Sequence, residues 1–324
     1  MDFLYNNPLT TLFTTILHSI AGSGLGFPIA IIILTVIIRF ALFPVDKKQR
    51  DNSKKMAALG PELQSIQKRY ANDPQRMQQK QQELYKKTGV NPFMGCLPAL
   101  ITLPLWFAFF GAMRVLSTDQ MVSFMLTASH FGAQTVTMPS MLWVHNFWQP
   151  DTGFGFGPIL PTAAQFISNL QSGSSGLTPQ ILSILQHQDL VSFQSGAMAV
   201  GSNSGAVYEK LSSAIISNAG LTGFQNGWFI LPVLSGLSLF LQQKFGGFSD
   251  LGSAGGTTPQ PGQAGTGKFM LWFFPLFSVY ICCTSPASFA LYWTVSSAYA
   301  FAQAKVVDAL WKKRKTGEIT VQNK

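Results

Sequence analysis

The sequence predicts an all-α polytopic membrane protein: five transmembrane helices and a helical hairpin on the cytoplasmic side. Three observations carry this. Charged residues make up only 11% of the chain and hydrophobic residues 47%, well away from the roughly one-quarter charged composition of soluble domains. Five windows have the length or character of spans: Phe27–Val45, Phe93–Met113, Trp228–Leu241, Phe269–Cys283 and Ala287–Val306. Basic residues, finally, gather on alternate connections. Eleven Lys/Arg face four Asp/Glu between Lys47 and Lys87, two face four between Arg114 and Asn226, and six face two from Lys305 onward. Basic connections stay in the cytoplasm, so the expected topology is N-terminus outside and C-terminus inside.

Taken in order, residues 1–26 hold Leu9, Leu12, Phe13, Ile16, Leu17 and Ile20 at helical spacing and are expected to form an amphipathic helix in the outer interface. No basic n-region or small-residue cleavage site marks a secretory signal there. The first span covers 27–46 and contains Arg39. A guanidinium at the centre of a span costs about 2.5–3.5 kcal/mol on insertion scales, which gives such a residue a functional reading by default. At about 1.5 Å per residue, Arg39 lies roughly 18 Å from Phe27 and about 12 Å from Lys47, on the cytoplasmic side but inside the apolar run.

Residues 47–90 are expected to form the basic cytoplasmic hairpin. Met56, Leu59, Leu63, Ile66 and Tyr70 make the seam of a helix that Gly60-Pro61 should bend or interrupt. Asn72-Asp73-Pro74 supplies a break, an N-cap and a first-turn proline for a second helix with Met77, Leu84 and Tyr85 on one side. The basic surface, with Lys54, Lys55, Lys68 and Arg69, suits anionic headgroups or ribosomal RNA phosphate.

The second span is assigned to 91–113 and an external loop to 114–227. Within that loop some 75 residues, Thr152–Asn226, form a Ser/Gly/Gln-rich insertion with short helices expected at Thr178–Val191 and Ala206–Ile216. The third span covers 228–243, a flexible Gly/Pro-rich cytoplasmic loop 244–268, the fourth span 269–284 and the fifth 285–306. The tail, 307–324, carries Lys312, Lys313, Arg314 and Lys315. Cys96, Cys282 and Cys283 fall in spans and read as packing residues. No metal or cofactor site is expected.

Several ordered motifs resemble one family. LYKKTGVNPFMGCLP (Leu84–Pro98) followed by Pro104 is similar to the start of the second span in YidC-type membrane protein insertases of the Oxa/Alb3-like superfamily. Thr35 and Arg39 in LTVIIRFALFPV resemble that family's first-span polar pair, ILPVLSGLSLFLQQK its third span, and SPASFALYWTVSS the start of its fifth. The likeness is to short members without a large N-terminal periplasmic domain, and it runs from Leu9 to Lys315 apart from the insertion. It implies five spans around a polar groove open to the cytoplasm and the lipid, in a bacterial inner membrane. Nascent membrane proteins would be the clients, with the ribosome, membrane lipids and the SecYEG translocon as further partners. Arg39 and Thr35 would line the groove, Tyr292 and Trp293 would form an aromatic wall, and the basic tail would meet the ribosome. Thr102 sits where many members carry Gln, which weakens the second span's polar contribution.

Other function classes fit less well. A secondary transporter would show internal repeats, and no duplicated half is visible. An intramembrane enzyme needs a nucleophile and base or metal ligands inside its spans, yet His18, His130, His145 and His187 all lie outside them. No Gly-rich phosphate loop precedes a Lys-Ser/Thr pair. A structural assembly factor or chaperone for membrane proteins remains the nearest alternative.

Overall fold

Asn7 starts the first helix, α1 (Pro8–Ile20): its side chain accepts the Thr10 amide at 2.8 Å, and Pro8 fills a first-turn position that needs no donor. A computed structural model describes residues 7–91, 97–131, 139–152, 226–245 and 264–322, with scattered positions between 162 and 212. After α1 the chain kinks at Ala21–Leu25, where Gly24 (φ +94°) and the following Gly26 (φ +74°) take conformations that a side chain would strain. The remaining helices are α2 (Gly26–Ala58), α3 (Gly60–Arg69), α4 (Pro74–Thr88), α5 (Leu97–Phe131), α6 (Ile230–Phe245), α7 (Ala264–Cys283) and α8 (Ala287–Gln322).

The helices outrun the apolar windows. A span must be apolar, whereas a helix needs only its own backbone hydrogen bonds, so α5 continues past Met113 to Phe131 and α8 carries the tail to Gln322. α7 likewise begins at Ala264, inside the stretch expected as loop. Among the described residues, Pro8–Ala58, kinked at Gly24 and Gly26, is long and apolar enough to cross a membrane, and Leu271–Cys283 is a shorter apolar helix.

The fold is all-helical as expected, apart from one short ribbon in the insertion. β1 (Val191–Gln194) and β2 (Ala197–Val200) pair antiparallel, with Val191 opposite Val200 and Gln194 opposite Ala197. Val191 therefore belongs to a strand, not to the end of a helix. Of the two short helices expected in the insertion, Ser183, Gln186, Ala206, Tyr208, Glu209 and Ser212 are helical, and the positions other than these and Val191 lie outside the described residues.

The chain divides into two compact units. The first comprises Met1–Ile32, Phe107–Val233 and Tyr280–Tyr292. Its core holds Phe13, Leu17, Phe109, Met113, Phe147, Trp148 and Phe289, all nearly inaccessible. α1 belongs to this core as well as to the surface: Thr10 donates to the Ala108 carbonyl at 3.3 Å and Phe13 meets Phe109 at 5.8 Å, while Leu9 and Leu12 stay exposed.

One clasp, centred on Asp151, organises part of this unit. Asp151 is fully buried and its carboxylate accepts three hydrogen bonds: from the Trp228 amide (2.8 Å), the Leu231 amide (2.7 Å) and Trp143 Nε1 (3.0 Å). Two of those amides lie at the start of α6, where the helix dipole favours an anion. Gly227 is obligatory beside it, because a Cβ there would collide with the carboxylate and lie 2.9 Å from its carbon. The Asn226 carboxamide donates to the carbonyls of Asn146, Gln149 and Pro150. Thr152 O accepts the amides of Asn226 (3.2 Å) and Gly227 (3.3 Å), so the insertion leaves and rejoins the clasp at one point. Thr152 and Asn226, taken from the sequence as the insertion's own ends, are parts of the clasp.

The second unit comprises Ile33–Trp106, Leu234–Val279 and Trp293–Lys324. α2 stops at Ala58 and α3 starts at Gly60, with Pro61 in its first turn. Asp73 caps α4 by accepting the Arg76 amide at 3.1 Å, and Gly89 (φ +65°) closes it in the left-handed conformation. α3 and α4 enclose a small core of Met56, Leu59, Leu63, Tyr85 and Val90, with Leu84 against it. α6 and α7 approach closely here: a Cβ at Gly236 would stand 2.5 Å from Val279 Cγ2 and 3.1 Å from Pro275 O.

Candidate functional site

Many of the buried side chains of the second unit are polar. Thr35, Ser235, Ser238, Gln243, Ser278, Ser296, Ser297 and Gln303 are all at most 9% exposed. In helices this apolar, polar side chains turn inward because lipid offers them no partner. Ser235 and Ser278 share a hydrogen bond at 3.2 Å between α6 and α7, and Ser238 donates back to the Leu234 carbonyl.

Arg39 ties α2 to α8 within this unit. Its Nε donates to Ser296 Oγ on α8 at 2.9 Å, and Nη2 donates to the same oxygen. Thr35, one turn earlier, is 1% exposed. Arg39 forms no ion pair among the described residues, so its charge faces a neutral hydroxyl and keeps most of its donors for another acceptor.

Two further polar rungs join α2 and α8. Gln303 Nε2 donates to Asp46 Oδ2 at 3.2 Å. Nearer the helix ends, Asp308 binds Lys54 Nζ at 2.7 Å and Arg50 Nη2 at 3.4 Å, and Arg50 also donates to the Phe245 carbonyl at 3.1 Å. Burial pushes the Asp308 carboxyl up, but hydrogen bonds from Lys54 and Arg50 and their charges outweigh it and hold it below the usual range. The pair's contribution is therefore complete at neutral pH and fades only as pH falls through that lowered value. The rungs run in the same order along both helices, so α2 and α8 lie parallel in this unit.

The aromatic residues divide between the units. Trp293 meets Trp106 edge to face at 5.8 Å within the second unit. Tyr292 belongs to the first, where it stacks on Phe109 at 3.9 Å. Thr102 stands in α5, and its side chain lies outside the described residues. Among the described residues, no group of three His, Cys, Asp or Glu gathers as a metal site would need.

The description of the matching family model is 60Kd inner membrane protein, and it covers residues 16–204 and 202–315. The chain belongs to this family. It is 36% identical over 172 residues to the membrane protein insertase YidC of Clostridium perfringens, covering 50% of this chain and 65% of that protein. It is 26% identical over 309 residues to membrane protein insertase YidC 2 of Bacillus anthracis, covering 94% and 79%. With the ALBINO3-like protein 1, chloroplastic, of Arabidopsis thaliana it shares 29% identity over 209 residues, 60% of this chain and 42% of that one. The chain thus spans less than two thirds of the Clostridium and Arabidopsis relatives it matches. The resemblance carried by the sequence motifs holds at the level of the YidC/Oxa/Alb3 family.

The outward cations fare unevenly. Lys55, Lys68 and Arg69 are exposed, whereas Lys54 is engaged by Asp308 and is not a free surface charge. Lys312, Lys313, Arg314 and Lys315 occupy the last turns of α8, with side chains outside the described residues. Sequence reasoning missed Ser296, Asp46, Gln303 and Asp308. The available signal was their spacing: 39 to 46 and 296 to 303 are both seven-residue steps, which put each pair on one helix face.

Proposed function

We propose that the protein is a membrane protein insertase and chaperone. It takes nascent transmembrane segments from the cytoplasm into a polar groove and releases them sideways into the bilayer. Five spans with the N-terminus outside and the C-terminus inside would form the groove, in a bacterial inner membrane. The single observation that carries this reading is Arg39, a permanent cation inside an apolar helix whose only hydrogen-bond partner among the described residues is the hydroxyl of Ser296.

The physics is that of a lowered barrier. A polar flank crossing hydrocarbon loses its hydration, and groups left unsatisfied cost several kcal/mol each. A groove lined by Thr35, Arg39, Ser296 and Gln303 keeps water and hydrogen-bond partners part of the way across. Arg39 also attracts carboxylates in the flank, more strongly as the local dielectric falls. Trp293 would offer an aromatic surface along which the client helix slides. No covalent step is needed, so the protein acts without being an enzyme and without a cofactor. Lys55, Lys68, Arg69 and the Lys312–Lys315 cluster would meet ribosomal RNA or anionic headgroups, and the SecYEG translocon would be an optional partner.

The test is reconstitution. Purified protein in lipid vesicles should insert a single-span client with a short acidic flank, scored by protease protection, where protein-free vesicles leave it accessible. Equal protection in the two would refute the activity.

A further inference from the structure

The rung next to Arg39 offers a client the opposite chemistry. Gln303 is 8% exposed, and its Nε2 is taken by Asp46, but its Oε1 has no hydrogen-bond partner among the described residues. A buried amide oxygen left unpaired costs about 1–3 kcal/mol, more than a simple cross-tie between two helices needs to incur. With its Nε2 donating to Asp46, Gln303 has only an acceptor left, buried at Oε1, and the half-buried Asp46 carboxylate is an acceptor only. Arg39, conversely, has donors only. The two rungs are seven residues apart on both α2 and α8, about 10.5 Å along the helices. An extended polypeptide advances about 3.3 Å per residue, so that distance is three residues of a client flank.

We propose that Asp46 and Gln303 form a second client-docking position that takes a hydrogen-bond donor, above all a lysine or arginine side chain, three residues from an acid held at Arg39. The proposal rests on the groove reading and sharpens its substrate class. Asp46 is then a specificity-determining residue: it favours flanks of the pattern Glu-x-x-Lys and repels flanks with an acid at both positions.

Four single-span clients that differ only in the flank (Glu-x-x-Lys, Glu-x-x-Ala, Glu-x-x-Glu and Ala-x-x-Ala) decide the matter with the full chain in vesicles. Wild type should insert Glu-x-x-Lys about tenfold better than Glu-x-x-Glu, the scale of one charge-assisted hydrogen bond. Asp46→Asn should erase that preference and keep the advantage of Glu-x-x-Ala over Ala-x-x-Ala. Asp46→Lys should reverse it, and Gln303→Met should weaken it. Equal insertion of Glu-x-x-Lys and Glu-x-x-Glu by wild type would overturn the proposal. So would an Asp46→Asn variant that lowers all four clients by the same factor, the mark of a purely structural tie. If wild type shows no advantage of Glu-x-x-Ala over Ala-x-x-Ala, the role of Arg39 itself has failed, and the dependent proposal falls with it.

Discussion

Arg39→Ala is expected to cut insertion of clients with acidic flanks about ten- to a hundredfold and to leave clients with uncharged flanks near wild type. The estimate takes a hydrogen bond to a charged group as worth about 1.5–3 kcal/mol, or one to two factors of ten. The geometry explains why the effect should be selective. Arg39 is held through Nε and Nη2 by one hydroxyl, that of Ser296; its charge reaches Asp46, but no carboxylate lies at ion-pair distance from it among the described residues. An arriving acid therefore meets a cation that is already oriented and not ion-paired among the described residues. Arg39→Lys should retain much of the activity, because charge matters more here than the two-donor grip on Ser296. Protease protection of a matched acidic and neutral client, in vesicles carrying each variant, measures the effect. An unchanged acidic client with Arg39→Ala would remove the basis of the groove mechanism.

The second large effect is structural. Asp151→Ala should lower stability by about 3 kcal/mol, since it strands the Trp228 and Leu231 amides and Trp143 Nε1 in a fully buried place at about 1–3 kcal/mol per donor, with water recovering part of the loss. Asp151→Asn should cost roughly half, because one carboxamide oxygen can still accept. The start of α6 would fray first, as the amides left bare are that of Leu231 in its first turn and that of Trp228 just before it. Thermal unfolding in detergent, followed by tryptophan fluorescence, should show the order wild type, Asn, Ala. Identical midpoints would mean that the clasp does not anchor α6.

The helices were legible because their signals are local. Apolar runs announce α2, α5, α6, α7 and α8, and Gly60-Pro61 and Asp73-Pro74 announce the breaks around α3 and α4, each through backbone chemistry acting within a few residues. Two kinds of feature were not. Val191–Val200 is a ribbon of small and apolar residues with Ser195-Gly196 between its strands, a short hairpin pattern hidden in a Ser/Gly-rich stretch whose helical spacing looked stronger nearby. The other kind is long-range pairing. Arg39 with Ser296 and Asp46 with Gln303 are 257 residues apart, and Asp151 meets α6 across about eighty residues of chain, so no periodicity can name the partners. Arg39 was recognisable as a misplaced charge. That it leans on a neutral hydroxyl, with an acceptor rung two turns away, required the structure.

The central claim is that a client occupies the polar lining of the second unit during insertion. Photocrosslinking from single positions in a complex with a ribosome-stalled nascent membrane protein addresses it most directly. A photoreactive residue at position 35, 39 or 293 should give adducts with the client's span and flank, and more strongly than one at Phe40, which is 71% exposed on the outer side of α2. Adducts confined to position 40, with none from 35 or 39, would contradict the account.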